Sequence, residues 1–329
     1  MGINFEKYAK RGTDGSDRKL RIFDSVQDRS YAEPPQYLGQ PAIIGYPFDI
    51  GVERNNGRIG ARGGPEAIRK ALANLAWHRE RLIADLGDVS SNLTNEESTD
   101  HYFDLEDQVE SSQNSLYVAV SSALEKGYFP VVLGGGHDLA AATTLAALTT
   151  STKENSSCAI LNFDAHFDLR AAPQANSGTG FLQAFQISQN NGRFGNYNYF
   201  AVGISEPSNS ALLFETASHI GARFLLDRDV SPQGLEFITK IIESFDRIYV
   251  SVDLDTIEAP SMKAVSSPAP FGISVSALEG LLIELMESGK VVGIDFAEFN
   301  PNFDDDTLSS RVVARLIHTI LTRQTSITK

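Results

Sequence analysis

A chain of 329 residues with 42% hydrophobic and 21% charged side chains is long enough to bury a sizeable core and has the balance of an ordinary globular protein. Its formal net charge of −14 argues against nucleic acid or an anionic membrane as partner, because both require a basic face. The single cysteine, Cys158, excludes an internal disulfide; within Cys158-Ala159-Ile160-Leu161 it reads as a buried packing residue, suited to a reducing cytoplasm.

The leading segment Met1-Gly2-Ile3-Asn4-Phe5-Glu6-Lys7 lacks the apolar core of a signal peptide, and no stretch approaches the roughly 18 uninterrupted apolar residues of a membrane span. Residues 1–40 are polar and weakly periodic, and read as an arm of irregular chain or short helices wrapped on a single domain over residues 41–329. From Pro41 onward short apolar runs alternate with longer amphipathic segments, the pattern of strands joined by helices around a parallel sheet. Eight strands are predicted, over 42–46, 82–86, 130–133, 159–163, 199–202, 222–226, 248–252 and 291–296. Helices are predicted over 64–75, with Pro65 in the first turn, and over 104–126, 139–148, 208–220, 231–244, 274–288 and 306–322. Right-handed crossovers put helices on both faces, so the carboxyl ends of the strands share one edge, where ligands bind.

Two glycine-rich stretches interrupt this pattern. Residues 55–65 have the glycines of a phosphate loop but neither its Gly-Lys-Ser/Thr ending nor a strand directly before it, so they read as a loop ahead of a helix. Arg58 or Arg62 could lean from it toward an anionic substrate. Gly134-Gly135-Gly136 resembles an anion cradle, yet His137-Asp138 behind it fits a tight turn that brings backbone close to metal. Asp138 reads as a helix cap or a support for a ligand.

Six potential metal ligands fall in three blocks: His137; Asp164, His166 and Asp168; Asp253 and Asp255. In Asn162-Phe163-Asp164-Ala165-His166-Phe167-Asp168 the polar side chains occupy every second position, so extended backbone would aim them at one face. Ser251-Val252-Asp253-Leu254-Asp255 repeats the arrangement. The blocks follow predicted strands ending at Leu133, Phe163 and Val252, and Glu298 follows the one ending at Phe296. Four aspartates converging without a cation would repel by about 4 kcal/mol per pair at ~4 Å and an effective dielectric of ~20. Two divalent cations with a solvent oxygen between them would cancel that charge. Oxygen donors outnumber nitrogen and no thiolate is offered, which suits Mn²⁺ better than copper or Zn²⁺, although zinc stays compatible. A lone Asp-x-Asp or Asp-x-His at a strand end is commonly a turn or cap; three such blocks together point to a site. Of the other histidines, His78, His101 and His219 read as surface groups and His318 as a partly buried packing residue.

Together the blocks resemble those of the arginase, or ureohydrolase, family, in the family's order and from about Pro41 to the C-terminus. The resemblance implies a three-layer αβα sandwich with an eight-stranded parallel sheet and a binuclear Mn²⁺ centre. One metal would be held by His137, Asp164, Asp168 and Asp253. The other would take His166, Asp164, Asp253 and Asp255, with Asp164 and Asp253 bridging. Several details are similar to the formimidoylglutamase branch: Gly134-Gly135-Gly136-His137-Asp138, the Asn176-Ser177-Gly178-Thr179-Gly180-Phe181 segment, Asn56-Gly57-Arg58-Ile59-Gly60-Ala61, Gly64-Pro65 and Ser267-Pro268-Ala269-Pro270. Phe181 stands where arginases carry a proton-shuttling histidine.

That branch implies hydrolysis of N-formimidoyl-L-glutamate to L-glutamate and formamide. Glu298 would pair with the amidinium nitrogens, Asp168 or Asp255 would relay the proton, and Arg170, Ser177 and Arg58 would anchor the substrate carboxylates. Relatives form trimers or hexamers, so a homo-oligomer acting on a small molecule is implied. The alternatives are a urea-releasing ureohydrolase acting on agmatine, arginine or a guanidino acid, a single-zinc deacetylase of related fold, and a non-catalytic binding protein. The last would have no reason to keep four converging aspartates.

Overall fold

The structure, a computed structural model, describes residues 5–8, 21–90 and 102–324; His101 lies outside the described residues. In chain order the main elements begin with β1 (Val26–Asp28), β2 (Gln40–Gly45), α1 (Ile50–Arg54), α2 (Gly64–Ala73) and β3 (Ile83–Asp88). There follow α3 (Gln108–Lys126), β4 (Tyr128–Leu133), α4 (Leu139–Lys153), β5 (Cys158–Phe163), α5 (Gly180–Asn190), β6 (Asn198–Ile204), α6 (Ala211–His219) and β7 (Arg223–Leu226). The chain closes with α7 (Val230–Ser244), β8 (Arg247–Asp253), α8 (Val275–Glu287), β9 (Val291–Ala297) and α9 (Leu308–Arg323).

All eight predicted strands form, but the sheet has nine, in the order β1-β3-β2-β4-β9-β8-β5-β6-β7, with every neighbouring pair parallel. The extra strand comes from the N-terminal arm: Val26, Gln27 and Asp28 pair with Ile83, Ala84 and Asp85 at the sheet edge. Three residues of mixed polarity carry no readable period, and this pairing rests on backbone hydrogen bonds rather than on side-chain pattern. Two helices also escaped prediction: the five-residue α1, and α5, which fills the crossover between β5 and β6.

Strand side chains alternate between two cores. On one face Leu133, Phe163, Val252 and Phe296 pack with residues of α2, α7, α8 and α9; on the other Val132, Ile160 and Tyr249 pack with α3, α4, α5 and α6. The result is three layers, helix on sheet on helix. Among the described residues no helix is long and apolar enough to cross a membrane.

Register matters most for the site. Leu133 pairs with Phe296, Phe296 with Val252, and Val252 with Phe163, so four adjacent strands, β4, β9, β8 and β5, end at one level. The residues that follow are Gly134, Ala297, Asp253 and Asp164. A shift of one residue in any pair would turn its side chains to the opposite face.

Helix α3 starts on a cap worth testing. The Asp107 side chain accepts from the amides of Val109 and Glu110 at 2.9 and 3.2 Å and from Arg54 Nη1 at 2.9 Å. Partial burial opposes ionisation, but the Arg54 guanidinium and the two amides outweigh it and hold the carboxyl below its usual range. We expect Asp107→Ala to lower unfolding free energy in urea by about 1–2 kcal/mol at neutral pH. Because the folded value is depressed, that contribution is present above the unfolded value near ~3.9 and fades as pH falls through the folded one. The wild-type and variant curves should therefore converge in acid; a constant gap would show that the charge of Asp107 is not what stabilises the helix.

Candidate metal centre

The loop after β4 is shaped by close backbone approach. Gly135 carries no side chain where a Cβ would lie 1.9 Å from the Phe48 carbonyl oxygen. Gly134 N donates to Phe296 O, Gly136 N to Phe48 O and His137 N to Glu298 Oε1 at 2.7, 2.9 and 2.9 Å. With the Gly134, Gly136 and His137 amides bonded within the protein, the glycine run forms a tight turn. It delivers His137, buried, over the ends of β5 and β8.

The other two blocks converge by a different route from the alternation expected. Strand β5 ends at Phe163 and β8 at Asp253; residues 164–168 are irregular and Asp255 lies in a 3-10 turn, Leu254–Thr256. Asp164 Oδ1 accepts from His166 N at 2.7 Å and Asp253 Oδ1 accepts from Asp255 N at 2.9 Å. Each aspartate thus folds the chain back over its own strand end, as Asp does in turns. Asp168 and Glu298 hold positive φ values of 49° and 66°, a backbone region costing non-glycine residues about 1–3 kcal/mol and concentrated at functional sites.

Convergence is complete. Oxygens of Asp164, Asp168 and Asp253 lie 3.2, 2.9 and 3.2 Å from His137 Nδ1. His166 Nδ1 lies 3.1 Å from Asp255 Oδ2 and 3.6 Å from Asp164 Oδ1. The potential ligand atoms form two groups, His137/Asp164/Asp168/Asp253 and Asp164/His166/Asp255, each within 4.8 Å, sharing Asp164. Asp253 falls in the first group only.

Three carboxylate oxygens crowd His137 Nδ1, yet none completes a hydrogen bond with it, and Asp255 Oδ1 and Glu298 Oε2 are likewise buried without a partner. Such an arrangement suits ligands around a common point better than donors facing acceptors. Electrostatics agree. Asp255 is the main cause that pushes His166 up to about 12 against its burial. Burial disfavours charge on His137, but Asp164, Asp168 and Asp253 raise it well above its ordinary value. Burial, with Asp255 and Asp164 nearby, raises Asp253 well above the carboxylate range. The cluster calls for positive charge in its midst, and a set of mostly oxygen donors fits hard divalent cations.

A second layer of contacts fixes His137. Ser251 Oγ donates to Asp295 Oδ1 at 2.5 Å and so receives the hydrogen of His137 Nε2 at 2.9 Å; Thr143 Oγ1 holds the other Asp295 oxygen at 2.9 Å. That chain presents Nδ1 to the carboxylates, as supporting hydrogen bonds do at metal-binding histidines. Asp295 and Thr143 were not singled out from the sequence. The available signal was one aspartate inside the apolar run Val291-Val292-Gly293-Ile294-Asp295-Phe296. Asp138 does not cap α4 with its side chain; it turns to accept from Tyr46 Oη at 2.5 Å, and burial pushes its carboxyl up to about 7.

The expected substrate residues separate. Glu298 stands over the cluster, its Oε1 tied to His137 N, its carboxyl pushed up to about 8 by burial. Arg170 donates to Asn55 Oδ1 at 2.8 Å, and Ser177 Oγ accepts from Asn55 Nδ2 at 3.1 Å. Arg58 goes elsewhere: its guanidinium stacks 3.7 Å from the Phe303 ring centroid and donates to the carbonyls of Ser266 and Val265. It is part of the loop packing and not, as the sequence suggested, a carboxylate anchor. The backbone amide of Arg62 donates to Asp49, and its side chain is exposed. Phe181 is buried edge-on to His137, ring centroids 5.4 Å apart. His78 and His219 are exposed as expected, while His318 is half-buried against Trp77.

Comparison with known proteins gives a consistent result. The arginase family matches residues 40–322. A formimidoylglutamase of Nocardia farcinica is 38% identical over 314 residues, covering 94% of each chain. One from Chromobacterium violaceum is 38% identical over 279 residues, 84% of this chain and 85% of the other. Among solved structures, Trypanosoma cruzi formiminoglutamase with Mn²⁺ superposes with a TM-score of 0.76 at 22% identity, over 92% of this chain and 97% of that one.

Proposed function

This chain belongs to the arginase family, and from that premise we propose that it hydrolyses N-formimidoyl-L-glutamate to L-glutamate and formamide. Water adds its oxygen to the amidine carbon, the bond from that carbon to the glutamate nitrogen breaks, and that nitrogen leaves with a proton. The observation that carries the reading is the six-residue Asp/His cluster gathered at the strand ends, with the Glu298 carboxyl tied to His137 N beside it.

His137, Asp164, Asp168 and Asp253 would hold one Mn²⁺, and His166, Asp164 and Asp255, joined by Asp253 as the family resemblance implies, the second. When bound, the pair would supply Lewis acidity and bring the pKa of water toward neutrality. The Mn²⁺ named with the Trypanosoma relative and the oxygen-rich donor set support this choice. Two groups sharing Asp164, rather than one, favour this over a single-zinc deacetylase.

Glu298 binds and orients. With Oε1 fixed by His137 N, its unpartnered Oε2 accepts from an amidinium N–H, and the substrate's positive charge draws the carboxyl back into its ionised form. Asp255 Oδ1, also unpartnered, can take a proton and pass it to the departing nitrogen; Asp168 is the other candidate relay. Phe181 offers no proton and keeps the His137 side of the site dry. Arg170 and Ser177 would receive the glutamate carboxylates.

Chelator-stripped protein reloaded with Mn²⁺ should release formamide from formimidoylglutamate and no urea from agmatine, arginine or guanidino acids. Urea release without formamide would replace the proposed substrate by a guanidino compound.

A further inference from the structure

Among the described residues Arg170, like several other arginines, has no carboxylate within ion-pair distance, but it stands two residues beyond Asp168 and, unlike Arg58, is not taken up in ring stacking. Its side chain is exposed, but it is not loose. Among the described residues the one hydrogen-bond partner of its guanidinium is the carboxamide oxygen of Asn55, at the end of α1. Gly178 leaves room for the arginine stem: a Cβ there would lie 3.0 Å from Arg170 Cδ and 3.2 Å from Asn55 Nδ2. The backbone of this loop is tied down by Arg170 N to Gly178 O, Ser177 N to Gly51 O and Arg54 Nη1 to Ala175 O, at 2.9, 3.0 and 3.1 Å.

Asn55 also sets the polarity of its second neighbour. Its oxygen accepts from Arg170, so its nitrogen faces Ser177 Oγ, which must accept at that contact. The Ser177 hydroxyl hydrogen is then free, and no protein acceptor among the described residues takes it. One carboxamide thus leaves two donors with no anion of their own: the exposed guanidinium of Arg170, two residues beyond Asp168, and the buried hydroxyl of Ser177, nine residues beyond it.

We propose that Asn55 is the positioning residue that holds Arg170 and Ser177 as a ready-made receptor for a carboxylate at the substrate end remote from the scissile carbon. The assignment rests on the proposed formimidoylglutamate reading and identifies what selects the acidic substrate within it. Preorganised donors bind a carboxylate without first losing side-chain freedom or breaking other pairs. Asparagine is required for its two-sided chemistry. Aspartate of the same shape would neutralise Arg170 and turn the Ser177 hydroxyl inward as a donor, closing both halves of the receptor, whereas alanine would only free them.

The order of the variants is therefore the test. With Mn²⁺-loaded enzyme, Asn55→Asp is expected to raise KM for formimidoylglutamate at least tenfold, Asn55→Ala less, and both with kcat changed less than twofold. In an Arg170→Ala background, Asn55→Asp should add little further loss, since the two act as a unit. Calorimetric binding of L-glutamate to the same proteins reads the receptor without turnover. If wild type binds L-glutamate and Asn55→Asp binds it at least tenfold more weakly, the assignment stands even where formimidoylglutamate is not hydrolysed; that failure would reject the substrate reading alone. Equal glutamate affinity in wild type and Asn55→Asp, or a fall in kcat with KM unchanged, overturns it.

Discussion

Replacing Asp253 by alanine is expected to lower kcat/KM by at least about a thousandfold, equivalent to about 4 kcal/mol of transition-state stabilisation. Asp253 sits at the centre of the registered strand ends, 3.2 Å from His137 Nδ1, with its Oδ1 bonded to the amide that positions Asp255. Removing it takes a donor from the first ligand group and loosens the turn carrying a ligand of the second. Metal analysis should return less than the full complement in the variant. The stability of chelator-treated protein separates this from simple misfolding. In the absence of metal Asp253 is held among like charges, Asp255 and Asp164 both opposing its ionisation after burial itself. Metal-free Asp253→Ala should therefore unfold at a temperature equal to or above that of metal-free wild type. Full activity in the variant, with both metals bound, would remove the metal chemistry from the reading.

The largest effect on stability is expected far from the rim. Arg69, on α2, is fully buried beneath β3, its Nε and Nη2 donating to the two oxygens of buried Asp85 at 3.0 and 2.9 Å and its Nη1 to Asp88 at 2.6 Å. Gly45 on β2 makes room for this triad, since a Cβ there would meet Asp88 Oδ1 at 1.8 Å. Arg69→Met keeps the length of the stem but strands Asp85 without its cation, which should cost about 3–5 kcal/mol in chemical denaturation. A loss below about 1 kcal/mol would mean that Asp85 takes up a proton or finds water at little cost. Converting Asp85 to leucine together with Arg69→Met should recover part of the loss, because a buried pair exchanged whole for apolar groups is much less costly than one broken by half.

Much of the architecture could be read without coordinates. The apolar strand runs were recognisable because each is a local pattern, and all eight appear within a few residues of their predicted ends. The six ligand types were recognisable because donor chemistry belongs to the side chain itself. Less accessible was how they meet. Alternation suggested extended strands through 164–168 and 253–255, whereas Asp164 and Asp253 bend their own chains by accepting from the amides of His166 and Asp255. The strand of the N-terminal arm was missed because three residues are too few to show a period.

The line between local and distant information runs through the arginines. Arg58 and Arg170 were both candidate anchors as bare side chains, Arg170 the stronger because it follows the aspartate block at a strand end whereas Arg58 sits in a glycine-rich loop. Arg58 meets Val265, 207 residues further along, and stacks on Phe303; Arg170 meets Asn55, 115 residues back. The same holds for Ser251 and Asp295, 44 residues apart, which orient His137. Fold class and the choice of hard-cation donors follow from composition and short-range pattern, because periodicity and ligand chemistry are carried within a few adjacent residues; the family follows from the resemblance of the motif blocks. Which arginine is taken up in loop packing, which nitrogen of His137 faces the aspartates and which strands end level with one another depend on partners that only folding brings together.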